Sequence, residues 1–173
     1  MSFREEVEKG LGAVVILAGS GSDRSHVQAI YSEVKKYGLP VEARVASAHK
    51  QPPKVLELMR FYDSLNGPLV YIAVAGGTDA LSGTASWETN RLVISCPPDA
   101  PNVSCLTNPP GSSNLYVARA QNAARAAAQI FSYWNPACAE ALNVDRNKKE
   151  TGLVADDTRF REGNFEDPKA VKG

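Results

Sequence analysis

Residues 13–23 read AVVILAGSGSD, and that stretch decides the fold. Ala13–Ala18 is a short, β-branched apolar run without polar alternation, the pattern of a strand buried on both faces. The small polar loop GSGSD follows. Ser25 to Tyr37 then carries Val27, Ile30, Tyr31 and Val34 on one helical stripe. Gly38 is placed to close that helix in the left-handed conformation. Buried strand, polar loop, amphipathic helix is how a parallel α/β sheet opens.

The same grammar continues outward. Val41–Ala46 (VEARVA) reads as a second strand, ending at SAHK. Pro52-Pro53 marks a helix start, with Val55, Leu56, Leu58, Met59 and Tyr62 as its apolar face. Leu69–Ala75 (LVYIAVA) is a third strand, ending at GGTD, and a short helix covers Leu81–Glu88. Arg91–Ser95 is a fourth strand, ending at CPPD. Leu115–Ala118 is a short fifth strand, and Ala120–Tyr133 is an Ala-rich helix. Residues 97–114 are rich in Pro, Ser and Asn and read as one long loop, of a length often tied to function. Three segments are expected: a charged N-terminal lead-in at 1–12, an α/β catalytic domain at 13–134, and a C-terminal helix and charged tail at 135–173. From Asn143 onward the tail is highly charged, which predicts either disorder or packing on a neighbouring subunit.

Composition narrows the function. The chain has 173 residues, which suits one domain. Lys plus Arg is 19 and Asp plus Glu is 19, so the formal net charge is zero. That balance argues against a nucleic-acid partner and removes general attraction to an anionic membrane surface. No apolar run approaches a spanning helix, and the charged N-terminus has no signal-peptide core, so a cytoplasmic protein is expected. Cys96, Cys105 and Cys138 form no CxxC pair and read as buried thiols. Trp87 and Trp134 read as packing residues.

In parallel sheets the ligand site lies beyond the carboxyl ends of the strands, where all four polar loops fall. GSGSD leads into a helix N-terminus, a natural anion site, with Ser20 and Ser22 as hydroxyl donors and Asp23 suited to a sugar hydroxyl. The same loop also reads as a turn capped by Ser22 or Asp23. His49 stands beside Ser47 and Lys50; its imidazole can move a proton near neutral pH, and Lys50 can hold a phosphate. His26 lies on the first amphipathic helix and reads as solvent-facing or structural, and no HExxH or second motif histidine suggests a metal. Gly76-Gly77 lets backbone approach a ligand closely, while Thr78, Asp79 and Ser82 offer polar contacts or helix capping.

Together these loops resemble the aminoimidazole ribonucleotide carboxylases and carboxyaminoimidazole ribonucleotide mutases of purine biosynthesis. GSGSD is similar to that family's G-S-x-S-D and SAHK at 47–50 to its S-A-H-[RK], in the same order and spacing. ALSG at 80–83, ISCPP at 94–98 and NAARAAAQIF at 122–131 add to the likeness, which covers roughly residues 13–134. The resemblance implies a three-layer, flavodoxin-like parallel sheet, a homo-octamer with shared active sites, and a C-terminal helix that reaches a neighbour. It implies carboxylation of 5-aminoimidazole ribonucleotide at C4 by carbon dioxide, with His49 catalytic and with Ser20, Ser22, Asp23, Ser47, Lys50, Gly76, Gly77 and Ser82 binding substrate. It implies no metal, biotin or ATP. SAHK and the lack of a second motif histidine resemble the direct carboxylase branch more than the mutase branch. Two stretches depart from that branch: Gly77-Thr78-Asp79 stands where it shows Arg-Ser-Asn, and CPPDAPNVSCLTNPPGSS replaces its S-S-L-R-x-P-S-G pattern. The alternatives are a mutase acting on the N-carboxylated isomer, a non-catalytic or altered-substrate homologue that binds ribonucleotides, and, ranked low, a flavin binder.

Overall fold

The computed structural model describes residues 2–166. Five strands, β1 (Ala13–Ala18), β2 (Val41–Val45), β3 (Leu69–Val74), β4 (Leu92–Ser95) and β5 (Asn114–Tyr116), form one sheet in the order β2-β1-β3-β4-β5. Every neighbouring pair is parallel, with Val14 opposite both Val41 and Val70. All six residues of β1 and of β3 are buried, so neither strand shows polar alternation.

Alternate side chains serve opposite layers, as the period of two demands. Val14, Ile16, Val70, Ile72 and Ile94 pack with helices α2 (Arg24–Lys36), α5 (Ala120–Phe131) and α6 (Pro136–Arg161). Val15, Leu17, Tyr71, Ala73 and Val93 face α1 (Phe3–Glu8), α3 (Pro52–Asp63) and α4 (Leu81–Glu88). The result is the expected three-layer α/β sandwich. The alanines of α5 let that helix lie close: Ala123, Ala124, Ala127 and Ala128 are fully buried.

Most predicted elements stand within a residue or two of their expected bounds. Gly38 has φ +72°, the left-handed closure expected of it. All three cysteines are free and buried. Three expectations are corrected. Residues 3–8 of the charged lead-in are a helix: Ser2 Oγ accepts from the Glu5 N–H while Glu5 Oε2 accepts from the Ser2 N–H, a capping box. Its Val7 is fully buried, and a Cβ on Gly67 would collide with the Val7 carbonyl. The tail is not disordered over 143–161, because α6 runs unbroken to Arg161. Pro136 opens it, Asn135 Oδ1 accepts from the Cys138 N–H, and Asp145 bonds Tyr37, Arg125 and Lys149. Residues 167–173 of the expected tail lie outside the described residues. Finally, Trp134 packs as expected, its ring edge-on to that of buried Phe131 at 5.8 Å, whereas Trp87 is 67% exposed.

No helix among the described residues is long and apolar enough to cross a membrane. Gly12 enters β1 with φ +103°, pressed against the ring of Phe131, where any Cβ would clash. Gly12→Ala combines backbone strain with overpacking and should lower unfolding free energy by about 2–4 kcal/mol, read from the urea midpoint.

Candidate active site

The chain leaves β1 for the edge strand β2 and then crosses back to β3 on the other side of β1. The loops after β1 and β3 therefore diverge, and a crevice opens between them at the carboxyl end of the sheet. A cavity of about 280 Å³ occupies this position. Its walls come from the loops after β1, β2 and β3 and from the start of α4.

The first wall is GSGSD. Ser20 Oγ accepts from the Ser22 N–H at 3.2 Å and from the Ser22 hydroxyl at 2.8 Å, pinning a 3₁₀ turn over Gly21–Asp23. Asp23 stands at the start of α2, but its carboxylate caps nothing. The capping role expected of Ser22 or Asp23 thus belongs to Ser20, and the turn presents two exposed hydroxyls beside a helix N-terminus.

The second wall is SAHK. Ser47 Oγ accepts from the Lys50 N–H at 3.2 Å, and the Ser47 carbonyl accepts from the Gln51 N–H at 2.8 Å. This tight turn exists because β2 ends at Val45, just before buried Ala46, and Pro52-Pro53 begins the next element. It throws His49 and Lys50 outward; both are exposed. Among the described residues nothing hydrogen-bonds the His49 imidazole, and Lys50 has no ion-pair partner.

The third wall follows β3. Gly77, at φ +68°, lets the chain turn back on itself, and its N–H donates to Asp99 Oδ2 at 2.7 Å. That bond, followed by one from Asn102, holds the Asp99 carboxyl below its ordinary range. Asp79 is 3% exposed: Oδ1 accepts from the Ser82 N–H at 2.9 Å and Oδ2 from the Ser95 hydroxyl at 2.8 Å. Asp79 therefore caps α4 and ties it to β4.

Of the predicted residues, the fold brings Ser20, Ser22, Asp23, Ser47, His49, Lys50 and Gly76 together around the one cavity. Two predicted binders are not part of its lining. Gly77 commits its amide to Asp99. Ser82 is fully buried in the first turn of α4, with a hydroxyl that has no partner among the described residues. Thr78, Ala80 and Leu81 line the cavity instead. His26 is structural, its Nε2 lying 3.1 Å from the Cys96 carbonyl and 3.3 Å from Cys96 Sγ. Burial pushes the Cys96 thiol up to about 12, so this pair makes no thiolate nucleophile near neutral pH.

The sequence model of the AIR carboxylase family matches residues 13–152. The chain belongs to that family. A phosphoribosylaminoimidazole carboxylase of Treponema denticola is 33% identical over 154 residues, covering 86% of this chain and 97% of its own. One from Archaeoglobus fulgidus is 35% identical over 156 residues, covering 86% of this chain and 85% of its own. The human bifunctional phosphoribosylaminoimidazole carboxylase/phosphoribosylaminoimidazole succinocarboxamide synthetase is 35% identical over 158 residues, which is 88% of this chain but 37% of that protein. The crystal structure of Treponema denticola PurE has a TM-score of 0.81 at 33% identity, with 86% of this chain and 98% of that one covered. The shared AIR carboxylase fold is thus the five-stranded parallel sandwich described above.

The structural role of Asp79 has a test. Asp79→Ala leaves the Ser82 N–H and the Ser95 hydroxyl buried without acceptors and should cost about 2–4 kcal/mol. Asp79→Asn should cost under about 1 kcal/mol, because Ser95 can turn its hydroxyl from donor to acceptor. Urea unfolding of both variants checks the ranking.

Proposed function

We propose that this chain reversibly joins carbon dioxide to C4 of 5-aminoimidazole ribonucleotide, a step of purine biosynthesis. One observation carries the reading: in a chain of the AIR carboxylase family, the cavity at the switch point holds a single imidazole, His49, without a hydrogen-bond partner among the described residues and flanked by hydroxyls and an ammonium. C4 of the aminoimidazole is enamine-like. It attacks the carbon of carbon dioxide, a C–C bond forms, and one C=O electron pair moves to oxygen to give a carboxylate. C4 then carries both hydrogen and carboxylate. His49 takes the C4 proton, and the C–H electron pair returns to the ring and restores aromaticity. In reverse, the imidazolium of His49 protonates C4 and carbon dioxide leaves.

The remaining residues bind and orient. Ser20, Ser22 and Lys50 suit the ribose phosphate, Asp23 and Ser47 the ribose end, and the backbone of Gly76 the heterocycle and its carboxylate. A positioned general base contributes typically about 10²–10⁴-fold, with orientation supplying much of the rest. The catalytic unit is residues 13–134, preceded by 1–12, and the part of α6 beyond its Asp145 anchor packs on a neighbouring subunit of a cytoplasmic homo-octamer. Support for assembly lies in the exposed Tyr133 (90%), Leu153 (68%) and Phe160 (58%) along the C-terminal region.

Two experiments test the reading. Decarboxylation of 4-carboxy-5-aminoimidazole ribonucleotide, followed by ultraviolet absorbance, should fall by about 10²–10⁴-fold in His49→Asn while ribonucleotide binding persists. Turnover that survives in the variant, or is absent from the folded wild type, overturns the assignment. The N-carboxylated isomer in the same assay should show no faster turnover; if it is preferred, the mutase reading replaces this one. Light scattering should return the mass of a homo-octamer, and a monomer would remove the shared-site element of the reading.

A further inference from the structure

The walls of the cavity are held in different ways. The 47–50 turn closes on itself through Ser47, and the 20–23 turn through Ser20. The segment Gly76-Gly77-Thr78 has no such closure and is gripped from outside by the loop after β4. The Gly77 N–H donates to Asp99 Oδ2 at 2.7 Å, and the Gly77 carbonyl accepts from Asn102 Nδ2 at 2.8 Å. Both polar groups of this residue's backbone are thereby taken. The Asp79 N–H donates to Ser104 Oγ at 2.8 Å.

The gripping residues are cross-linked in turn. Asn102 Nδ2 also donates to Asp99 Oδ1 at 3.0 Å, and Ser104 donates to Asn102 Oδ1 from its N–H at 3.1 Å and its hydroxyl at 2.6 Å. Asn102 is 7% exposed, so the assembly is anchored in the protein rather than draped on it. The Asp99 carboxylate also packs directly on Gly76, where a Cβ would lie 3.4 Å from it. Gly76 and Thr78 line the cavity, and among the described residues neither backbone N–H has a protein acceptor.

We propose that Asp99, set by Asn102, is a positioning residue for the reacting end of the site. It holds the Gly77 peptide so that Gly76 and Thr78 present free N–H groups to the cavity. This role rests on the carboxylase reading. Asp99 touches no reacting atom in this proposal; it acts through the loop. A carboxylate is required because it accepts from two donors at once, Gly77 N–H and Asn102 Nδ2. An asparagine at 99 retains one acceptor oxygen and sets its own NH₂ against the second donor.

The test uses Asp99→Asn and Asp99→Ala in the full chain, with Asn102→Ala as an independent cut of the same grip. Decarboxylation kinetics should show kcat lowered about 10-fold or more, since small misplacements at a reacting centre cost up to about 10²-fold. KM should stay within about threefold, because the phosphate grips stand on other loops, and in the variants of the exposed Asp99, though not in Asn102→Ala, the thermal midpoint should stay near wild type. Amide exchange by mass spectrometry should quicken in the peptide spanning residues 75–81 and not in that spanning 46–51. Unchanged exchange in Asp99→Ala, or faster exchange with wild-type kcat, overturns the proposal. So does joint loss of kcat, KM and thermal stability in the Asp99 variants, which marks a merely structural role. If the wild type lacks turnover, the carboxylase reading fails by itself, and an unchanged 75–81 exchange rate in the variants would remove the grip as well.

Discussion

Strand β1 is hydrogen-bonded on both edges and buried on both faces. A strand in that position has no room for a polar side chain, since an unsatisfied polar group there costs free energy on the order of 1–3 kcal/mol. All chemistry near the sheet centre is therefore pushed past its carboxyl end. The Gly19 N–H still bonds the Val74 carbonyl at 2.8 Å, so the loops after β1 and β3 start from a shared, rigid edge. Every functional group of the cavity is placed relative to that edge.

Placement then divides by element. The GSGSD and SAHK turns are locally closed by their own serines, and each presents its side chains as a fixed unit. The Gly76–Thr78 segment is built in the opposite way. Glycine at 76 and 77 permits close backbone approach, and the loose chain that results is restrained by Asp99, Asn102 and Ser104. The 77–79 stretch and the loop after Cys96 are therefore hydrogen-bonded partners.

The C-terminal helix divides into an anchored part and an exposed part. Helix α6 is anchored at its start by Asn135 on the Leu11 carbonyl and by Asp145 with Tyr37, Arg125 and Lys149. Past that anchor its apolar residues Leu153, Val154 and Phe160 are exposed. Such residues gain burial only against another surface, and none of them belongs to the core of this chain.

The sequence by itself determined the fold class, the strand and helix order, and the turns that carry His49, Lys50, Ser20 and Ser22. Those features are local: apolar periodicity, Pro at a helix start, Gly at a helix end, and small polar loops after buried runs. The helix at 3–8 was legible too, through Ser2 and Glu5, yet its charge masked it. The tail's helicity was hidden because composition separates solvated from buried residues, not helix from coil. Only the tertiary structure decided that Asp79 faces Ser95, that Ser82 turns inward, and that Asp99 holds Gly77. Each of these joins residues 16 to 22 positions apart or is set by burial within α4, and no spacing rule in one dimension encodes which donor meets which acceptor across a sheet edge.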